Sequence, residues 1–244
     1  MDWRMKTAWD AALNFLYPAV CQICGRERAG AAEGYVGGQC WSALRFVTAP
    51  FCDRCGVPYQ GDINHPFRCA NCEGLDFGFR YARSAVVVTP LILQVIHRYK
   101  YNRALWFEPF LADLLERQAA PALGREQWDL IVPVPLHPRK EREREFNQAE
   151  RLARRLGRAL QIPVNTRAVR RVKFTDTQTR LTRPQRAANV DEAFEPRHGG
   201  ELKGARVIVV DDVMTTGATT SACAHAVRRA GAADVCVWTV ARGA

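Results

Sequence analysis

Seven of the nine cysteines fall within one N-terminal stretch, and their spacing constrains the fold more than any other feature of the chain. Three Cys-x-x-Cys pairs and one single cysteine occupy Cys21, Cys24, Cys40, Cys52, Cys55, Cys69 and Cys72. Two thiolates in one tight turn can face the same ion, and a tetrahedral zinc site needs two such pairs. The spacing therefore predicts zinc-ribbon ligands. Disulfides are the alternative, and the lack of a recognisable secretion signal disfavours them.

One predicted zinc site lacks a cysteine. A fourth pair would place a thiol at residue 37, three positions before Cys40, but Gly37 stands there. Three arrangements are open: one complete and one vacated site, a site completed by His65 or Glu33, or three cysteines with a water. The segment is rich in glycine, so zinc is expected to supply its folding free energy, which is about 10–16 kcal/mol in zinc-finger peptides.

A second pattern begins after Cys72, where short apolar runs alternate with helical segments. Strands are predicted at 85–88, 129–134, 206–210 and 235–240, and helices at 90–99, 105–118, 147–160 and 219–230. This alternation predicts an α/β fold with a parallel sheet, whose ligands bind at the carboxyl ends of the strands. Residues 1–80 and 81–244 are the predicted domains. Cys223 and Cys236 are expected to be core residues.

The segment after the apolar run Val207–Val210 carries the most informative polar residues. An acidic pair, Asp211 and Asp212, is followed by Thr215, Thr216, Gly217, Ala218 and Thr219 at a predicted helix start. Gly217 permits close approach of the backbone, and the helix N-terminus attracts phosphate. Adjacent acids suit hydroxyls or a cation. A ribose 5-phosphate fits this combination, whereas a nucleotide P-loop would require Gly-Lys-Ser/Thr.

This segment resembles the signature of type I phosphoribosyltransferases across residues 207–219. Pro133–Lys140, Arg144–Gln148 and the spaced motif from Thr175 to Phe194 resemble the ComF family. That family comprises bacterial competence-associated proteins with an N-terminal double zinc ribbon and a phosphoribosyltransferase domain. The resemblance covers nearly the whole chain. It implies a type I phosphoribosyltransferase-like parallel sheet with an N-terminal zinc-ribbon module.

The resemblance also implies a ligand, phosphoribosyl pyrophosphate, with magnesium on its diphosphate. Asp211 and Asp212 would hold the ribose diol, and Thr215 to Thr219 would wrap the 5-phosphate. Candidates for a diphosphate loop are His137, Arg139, Lys140 and Arg144, for which a solvated charged loop is the alternative. Glu145 departs from the family, which usually has glycine before Phe-Asn-Gln. The long basic stretch from Arg170 to Asn189 is predicted to be a lid.

Charge and hydropathy limit the classes of partner. The formal net charge is +10 and the pI is near 9.4, which favours polyanions. Residues 7–20 are predicted to form an amphipathic helix, with Trp9, Leu13 and Leu16 on one face, rather than a signal peptide. The longest apolar runs are far below the ~20 residues of a membrane span, so a cytoplasmic protein without a transmembrane segment is expected.

The main hypothesis is a phosphoribosyl-pyrophosphate-binding protein linked to DNA uptake, with single-stranded DNA and a DNA-translocating helicase as partners. Aromatic residues among the cysteines either stack bases or form the ribbon core: Trp41, Phe51, Tyr59, Phe67 and Phe77. The alternative is an active phosphoribosyltransferase that transfers phosphoribose to a nitrogen acceptor and releases diphosphate. A third hypothesis is a sensor that binds this ligand without turnover. The residues identify no catalytic group, and Lys100, at a family-typical position, has no derivable role.

Overall fold

The computed structural model describes residues 19–63, 65–174, 193–197 and 202–243. The predicted N-terminal helix with Trp9, Leu13 and Leu16 lies outside these residues. The same holds for the predicted lid beyond residue 174 and for most of the motif between Thr175 and Phe194.

A sheet of four parallel strands forms the centre of the molecule, as the sequence predicts. The described residues form six strands in chain order, four of which belong to this sheet: β1 (Tyr81–Val87), β2 (Leu130–Pro133), β3 (Val169–Arg171), β4 (Phe194–Pro196), β5 (Arg206–Met214) and β6 (Asp234–Arg242). The central sheet has the order β1–β6–β5–β2, and β3 pairs with β4 in a separate antiparallel ribbon. The parallel order places the carboxyl ends of all four central strands at one edge.

The helices are α1 (Gly38–Ser42), α2 (Pro90–Tyr101), α3 (Glu108–Leu123), α4 (Pro138–Arg144), α5 (Gln148–Leu160) and α6 (Ala218–Arg229). Helices α3 and α5 pack on one face of the sheet, and α6 packs on the other. Side chains alternate along β5, so Val207 and Val209 pack against α6 while Ile208 and Val210 pack against α3 and α5. Cys223 and Cys236 are fully buried, which confirms them as core residues. None of the helices within the described residues has the length and apolar character needed to cross a bilayer.

Two local predictions near the acidic pair were wrong. Residues 138–144 form helix α4 rather than a loop, because Pro138 suits the first helical turn and the side chain of His137 accepts the N–H of Arg139. Strand β5 continues past its predicted end at Val210 to Met214, because β6 extends equally far and pairs with it. The acidic pair therefore lies inside the strand, with Asp211 opposite Thr239.

The described residues before β1 (19–63 and 65–80), named here the cysteine-rich half, pack along the outer edge of β1. Phe46 forms an antiparallel bridge with Val86, and the N–H of Val47 donates to the carbonyl of Ala85 at 3.0 Å. Further along, the N–H of Ala82 donates to the carbonyl of Arg54 at 2.8 Å. These bonds satisfy backbone groups that an open sheet edge would expose. The two halves are thus joined by backbone hydrogen bonds as well as by side-chain packing.

Candidate functional site

The acidic pair is buried at the carboxyl edge of the sheet. Asp211 is 8% exposed and Asp212 is 2% exposed. Asp212 forms an ion pair with Lys100 of α2 and accepts a hydrogen bond from Gln148 Nε2 of α5 at 3.3 Å. Asp211 Oδ1 accepts the backbone N–H of Asp212 at 2.9 Å. The carboxyl groups of Asp211 and Asp212 also hydrogen-bond to each other.

The two carboxyl groups have opposite pKa shifts. Burial raises the pKa of Asp211 well above its ordinary value, and the charge of Asp212 raises it further. Burial also acts to raise the pKa of Asp212. The charge of Lys100, together with hydrogen bonds from Asp211, Lys100 and Gln148, outweighs burial and lowers that pKa. A proton held by the pair is therefore favoured on Asp211, and the negative charge is favoured on Asp212.

A chain of polar side chains connects the acidic pair to helix α4. Arg144 Nη1 donates to Gln148 Oε1 at 2.9 Å, and Gln148 in turn donates to Asp212. Arg144 Nη2 donates to the hydroxyl of Tyr101 at 3.1 Å. Lys100 and Tyr101 both belong to the end of α2, so this helix contributes directly to the site. The structure thereby places Lys100, whose role the sequence does not reveal, against Asp212.

The predicted phosphate loop connects β5 to α6. Gly217 has φ +82°, in the left-handed region that favours glycine, and α6 begins at Ala218. A side chain at Gly217 would also meet Met214 Cε at 2.7 Å and Phe77 Cε1 at 3.4 Å. Thr216 Oγ1 accepts the N–H of Ala218 at 3.4 Å, which helps to shape the turn. Thr215, Thr216, Gly217, Ala218 and Thr219 thus lie at or beside the N-terminus of α6, where backbone N–H groups attract anions.

The four candidates for the diphosphate loop fall into two groups. Arg144 reaches the acidic pair through Gln148. His137, Arg139 and Lys140 instead surround Phe174, with ring or cation distances to its centroid of 5.3, 5.0 and 5.4 Å. Arg139 also pairs with Glu143 at 3.1 Å, one helical turn away. The basic residues of α4 therefore serve partly to hold the segment that contains Phe174.

Glu145 occupies a strained backbone position. It ends α4 with φ +67°, and its side chain forms an exposed ion pair with Arg103 at 2.6 Å. The left-handed conformation costs an L-residue about 1 kcal/mol, and glycine adopts it freely. The glycine usual in the resembled family is explained by this backbone path, which the chain keeps despite the substitution.

Four cysteines form a compact buried cluster, named here the four-thiol cluster: Cys52, Cys55, Cys69 and Cys72. Their closest sulfur–sulfur distances are 3.5, 3.6 and 3.7 Å. A tetrahedron with zinc–sulfur bonds of ~2.3 Å has edges of about 3.8 Å. All nine cysteines of the chain are free thiols in the structure, which leaves the disulfide alternative without support. The arrangement fits one zinc ion.

The other three N-terminal cysteines gather with a carboxylate that the sequence analysis missed. This second group, named here the mixed cluster, consists of Cys21, Cys24, Cys40 and Glu27. Among the described residues, neither His65 nor Glu33 belongs to a candidate metal cluster; Glu33 instead accepts the N–H of Gly30 at 2.8 Å. The signal that could have pointed to Glu27 is the missing side chain at Gly37, which leaves space beside three thiols.

Arg242 joins the four-thiol cluster to the phosphate loop. This buried side chain donates to the carbonyl of Cys55 at 3.0 Å and lies 3.5 Å from its sulfur. Its other donors reach the carbonyls of Met214, at 3.2 Å, and of Thr215 and Gly243. A zinc tetrathiolate carries about two net negative charges, which complement the guanidinium. The four-thiol cluster therefore supports the start of the loop through one residue.

The aromatic residues of the cysteine-rich half divide between core and surface. Phe77 is buried and stacks on Phe79 at 4.8 Å, and Trp41 packs edge-on against Phe110 at 5.1 Å. Tyr59 is 48% exposed, with its ring 5.0 Å from Phe67. Phe77 and Trp41 thus contribute to the core, whereas Tyr59 is accessible to a ligand.

Comparison with known proteins agrees with this architecture. A double zinc ribbon domain matches residues 12–73, and a phosphoribosyl transferase domain matches residues 146–244. Competence protein F of Haemophilus influenzae is 34% identical over 79% of this chain and 85% of its own length. DNA utilization protein YhgH of Escherichia coli is 31% identical over 92% and 97%, and competence protein ComFC of Bacillus subtilis is 26% identical over 83% and 82%. The predicted fold class is confirmed, and the cysteine clusters agree with the double zinc ribbon. The chain belongs to the ComF family of competence and DNA-utilization proteins, with a double zinc ribbon followed by a phosphoribosyltransferase-like domain.

Proposed function

We propose that this protein binds phosphoribosyl pyrophosphate with magnesium in its 81–244 domain and acts in DNA uptake or DNA utilization in the cytoplasm. The observation that carries the proposal is the acidic pair Asp211 and Asp212 on the strand that leads directly into the N-terminus of α6. A diol acceptor and a phosphate site separated by one short loop suit a ribose 5-phosphate better than a free nucleoside or a free phosphate.

Each part of the ligand has a matching group. Asp211 and Asp212 take the ribose hydroxyls, and residues Thr215 to Thr219 take the 5-phosphate with backbone N–H groups and hydroxyls. Arg144, which reaches the acidic pair through Gln148, would contact the diphosphate with its magnesium. Lys100 already pairs with Asp212, so the hydroxyls and the metal ion compete with an ammonium group for this carboxylate.

The cysteine-rich half supplies the features expected of a surface for single-stranded DNA. Arg26, Arg45 and Arg68 are exposed there, and Tyr59 presents an accessible ring. Aromatic stacking combined with basic side chains binds single strands with little sequence preference. The names of the relatives, which refer to competence and DNA utilization, favour DNA over other polyanions. A DNA-translocating helicase is the proposed protein partner.

The test is calorimetric titration of the zinc-loaded protein with phosphoribosyl pyrophosphate and Mg²⁺. The double variant Asp211→Asn/Asp212→Asn is expected to lose at least tenfold in affinity, because the diol loses the charged acceptor Asp212, worth about 1.5–3 kcal/mol, together with the carboxyl group of Asp211. Asp113→Asn, which removes a surface acid paired with Arg117, is the matched control and should bind like the parent. Equal affinity of the double variant and the parent would refute the proposal.

Two further measurements on the same samples separate the alternatives. Release of diphosphate with a purine, pyrimidine or amine acceptor would establish the transferase, and ligand binding without release would leave a binding protein. Single-stranded DNA should bind with an affinity that falls steeply with salt and drops on Tyr59→Ala. DNA binding that depends on neither salt nor Tyr59 would remove the DNA part of the proposal while leaving the ligand part intact.

A further inference from the structure

We propose that Glu27 is the fourth protein ligand of a zinc site in the mixed cluster and replaces the cysteine that is absent at Gly37. The proposal concerns the mixed cluster and is independent of what the phosphoribosyltransferase-like domain binds. Its ligand atoms come from the pair Cys21 and Cys24, from Glu27 three positions after that pair, and from Cys40 in α1.

The distances fit a tetrahedral zinc ion. The sulfurs of Cys21 and Cys40 are 3.6 Å apart, and Cys24 Sγ lies 3.8 Å from Glu27 Oε1. All four ligand atoms lie within 4.8 Å of one another. Edges of about 3.8 Å between sulfurs and about 3.6 Å between sulfur and oxygen follow from the usual zinc–ligand bond lengths. The cluster is therefore compact enough for a single ion.

Gly37 provides the space that the carboxylate occupies. A Cβ atom at residue 37 would lie 2.2 Å from Glu27 Cδ and 2.5 Å from Glu27 Oε1. The backbone of Gly37 has φ −82° and ψ 170°, an extended conformation open to any residue. Glycine is thus not required there by the backbone. Any side chain at residue 37 would displace Glu27 from the cluster, so the carboxylate and the missing cysteine exclude each other.

The carboxylate is already held in position by the backbone of α1. The N–H of Gln39 donates to Glu27 Oε1 at 3.1 Å and to Oε2 at 3.0 Å, and the N–H of Cys40 donates to Oε1 at 3.4 Å. The carbonyl of Glu27 accepts the N–H of Cys21 at 2.8 Å, which holds the backbone of Glu27 beside the first cysteine of the cluster. Such outer contacts orient a metal ligand and limit its motion. Three thiolates and one carboxylate also preserve the charge of a site with four thiolates.

A carboxylate is a harder ligand than a thiolate, and zinc in protein sites favours soft sulfur donors. The mixed cluster is also less enclosed, since Cys24 and Glu27 are only partly buried whereas every cysteine of the four-thiol cluster is buried. The mixed cluster is therefore expected to release its zinc before the four-thiol cluster when a chelator competes.

The experiment combines zinc analysis, chelator-driven zinc release and X-ray absorption at the zinc edge on the full-length protein. The parent should hold two zinc ions per chain, with an average of about three and a half sulfur ligands per zinc. Glu27→Ala should release one of the two ions at least tenfold faster, because loss of a ligand exceeds the roughly 10–100-fold effect of losing an outer contact. Glu33→Ala, which removes a nearby acid outside the cluster, should behave like the parent.

A rescue variant separates ligation from a structural role of Glu27. Glu27→Ala combined with Gly37→Cys should restore slow release and raise the average to about four sulfur ligands, because the thiol takes the place of the carboxylate. If Glu27→Ala does not fold, Glu27→Gln provides the same comparison with the hydrogen bonds to α1 largely preserved. Release kinetics and sulfur number in Glu27→Ala or Glu27→Gln equal to those of the parent would overturn the proposal.

Discussion

The two metal clusters differ in their ligands and in what they support. The four-thiol cluster is buried, and through Arg242 it contacts the start of the phosphate loop. The mixed cluster is partly exposed and rests on the helices: Arg98 of α2 donates to the carbonyl of Gln22, and Trp41 packs against Phe110 of α3. One cluster therefore supports β5, β6 and the loop, and the other supports α2 and α3.

The difference between the two clusters indicates why a carboxylate in place of the fourth cysteine is tolerated in the mixed cluster. A weaker site at the mixed cluster loosens the contact with α2 and α3, which retain their own apolar core around Tyr99, Phe107 and Leu111. A weaker site at the four-thiol cluster would leave the guanidinium of Arg242 buried without its anionic neighbour, which is costly. We infer that the position beside the loop requires four thiolates, whereas the outer position accepts a carboxylate.

The largest expected effect is the loss of a ligand from the four-thiol cluster. Cys72→Ser should remove one zinc ion and destabilise the protein by about 4 kcal/mol or more, because structural zinc supplies the folding free energy of such a module. Cys24→Ser in the mixed cluster should cost about 2 kcal/mol and leave ligand binding intact. Zinc content and chemical denaturation, with calorimetric titration of folded protein, measure both. Equal losses in the two variants would contradict the proposed inequality.

The next effect concerns the two arginines that link the clusters to the rest of the molecule. Arg242→Met removes the side-chain donor to the carbonyls of Cys55 and Thr215, so we expect about 3 kcal/mol of destabilisation and at least tenfold weaker ligand binding. Arg98→Met removes the corresponding bond to Gln22 and should cost about 1 kcal/mol without affecting affinity.

Zinc content controls for the integrity of the clusters in both arginine variants and should remain at two ions per chain. A normal affinity in Arg242→Met would show that the loop does not depend on this link. A weakened affinity in Arg98→Met would show that the helical side contributes equally, and the two clusters would then not be functionally distinct.

The parts of the site that sequence could predict are those encoded locally. The acidic pair, the Thr-Gly loop and the start of α6 follow one another within nine residues, from Asp211 to Thr219, so their proximity is a matter of local backbone geometry. The cysteine pairs are readable for the same reason. The alternating apolar runs predicted the parallel sheet, although the length of β5 depended on pairing with β6, which no single segment encodes.

The unpredicted residues act across long sequence separations. Arg242 and Cys55 are 187 residues apart, and Gln148 and Asp212 are 64 apart. Lys100 meets Asp212 only because α2 packs beside the carboxyl edge of the sheet. Glu27 was missed for a different reason: a carboxylate among basic residues resembles ordinary surface charge, and only the space at Gly37 reveals its role.

The smallest expected effect is in stability, and it tests the acidic pair, in which Asp212 faces Lys100 on α2 and Asp211 contacts Asp212. The pKa of Asp211 is raised in the folded state, so its stabilising contribution is present below the ordinary carboxyl pKa of about 4 and is lost as the pH rises through the raised pKa. Above that pKa its ionisation opposes folding. Asp211→Asn should therefore stabilise the protein by about 1 kcal/mol at pH ~8 while weakening ligand binding.

Asp212→Asn should have the opposite sign. The pKa of Asp212 is lowered, so its contribution is present above the ordinary carboxyl pKa and is lost only as the pH falls through the lowered value. Its removal leaves the partly buried Lys100 without a partner and should cost about 1–2 kcal/mol at neutral pH. Urea denaturation of both variants between pH ~5 and ~8 measures the difference. Equal destabilisation by Asp211→Asn and Asp212→Asn would contradict the opposite pKa shifts of the two carboxyl groups. It would mean that both groups share the charge of Lys100 evenly.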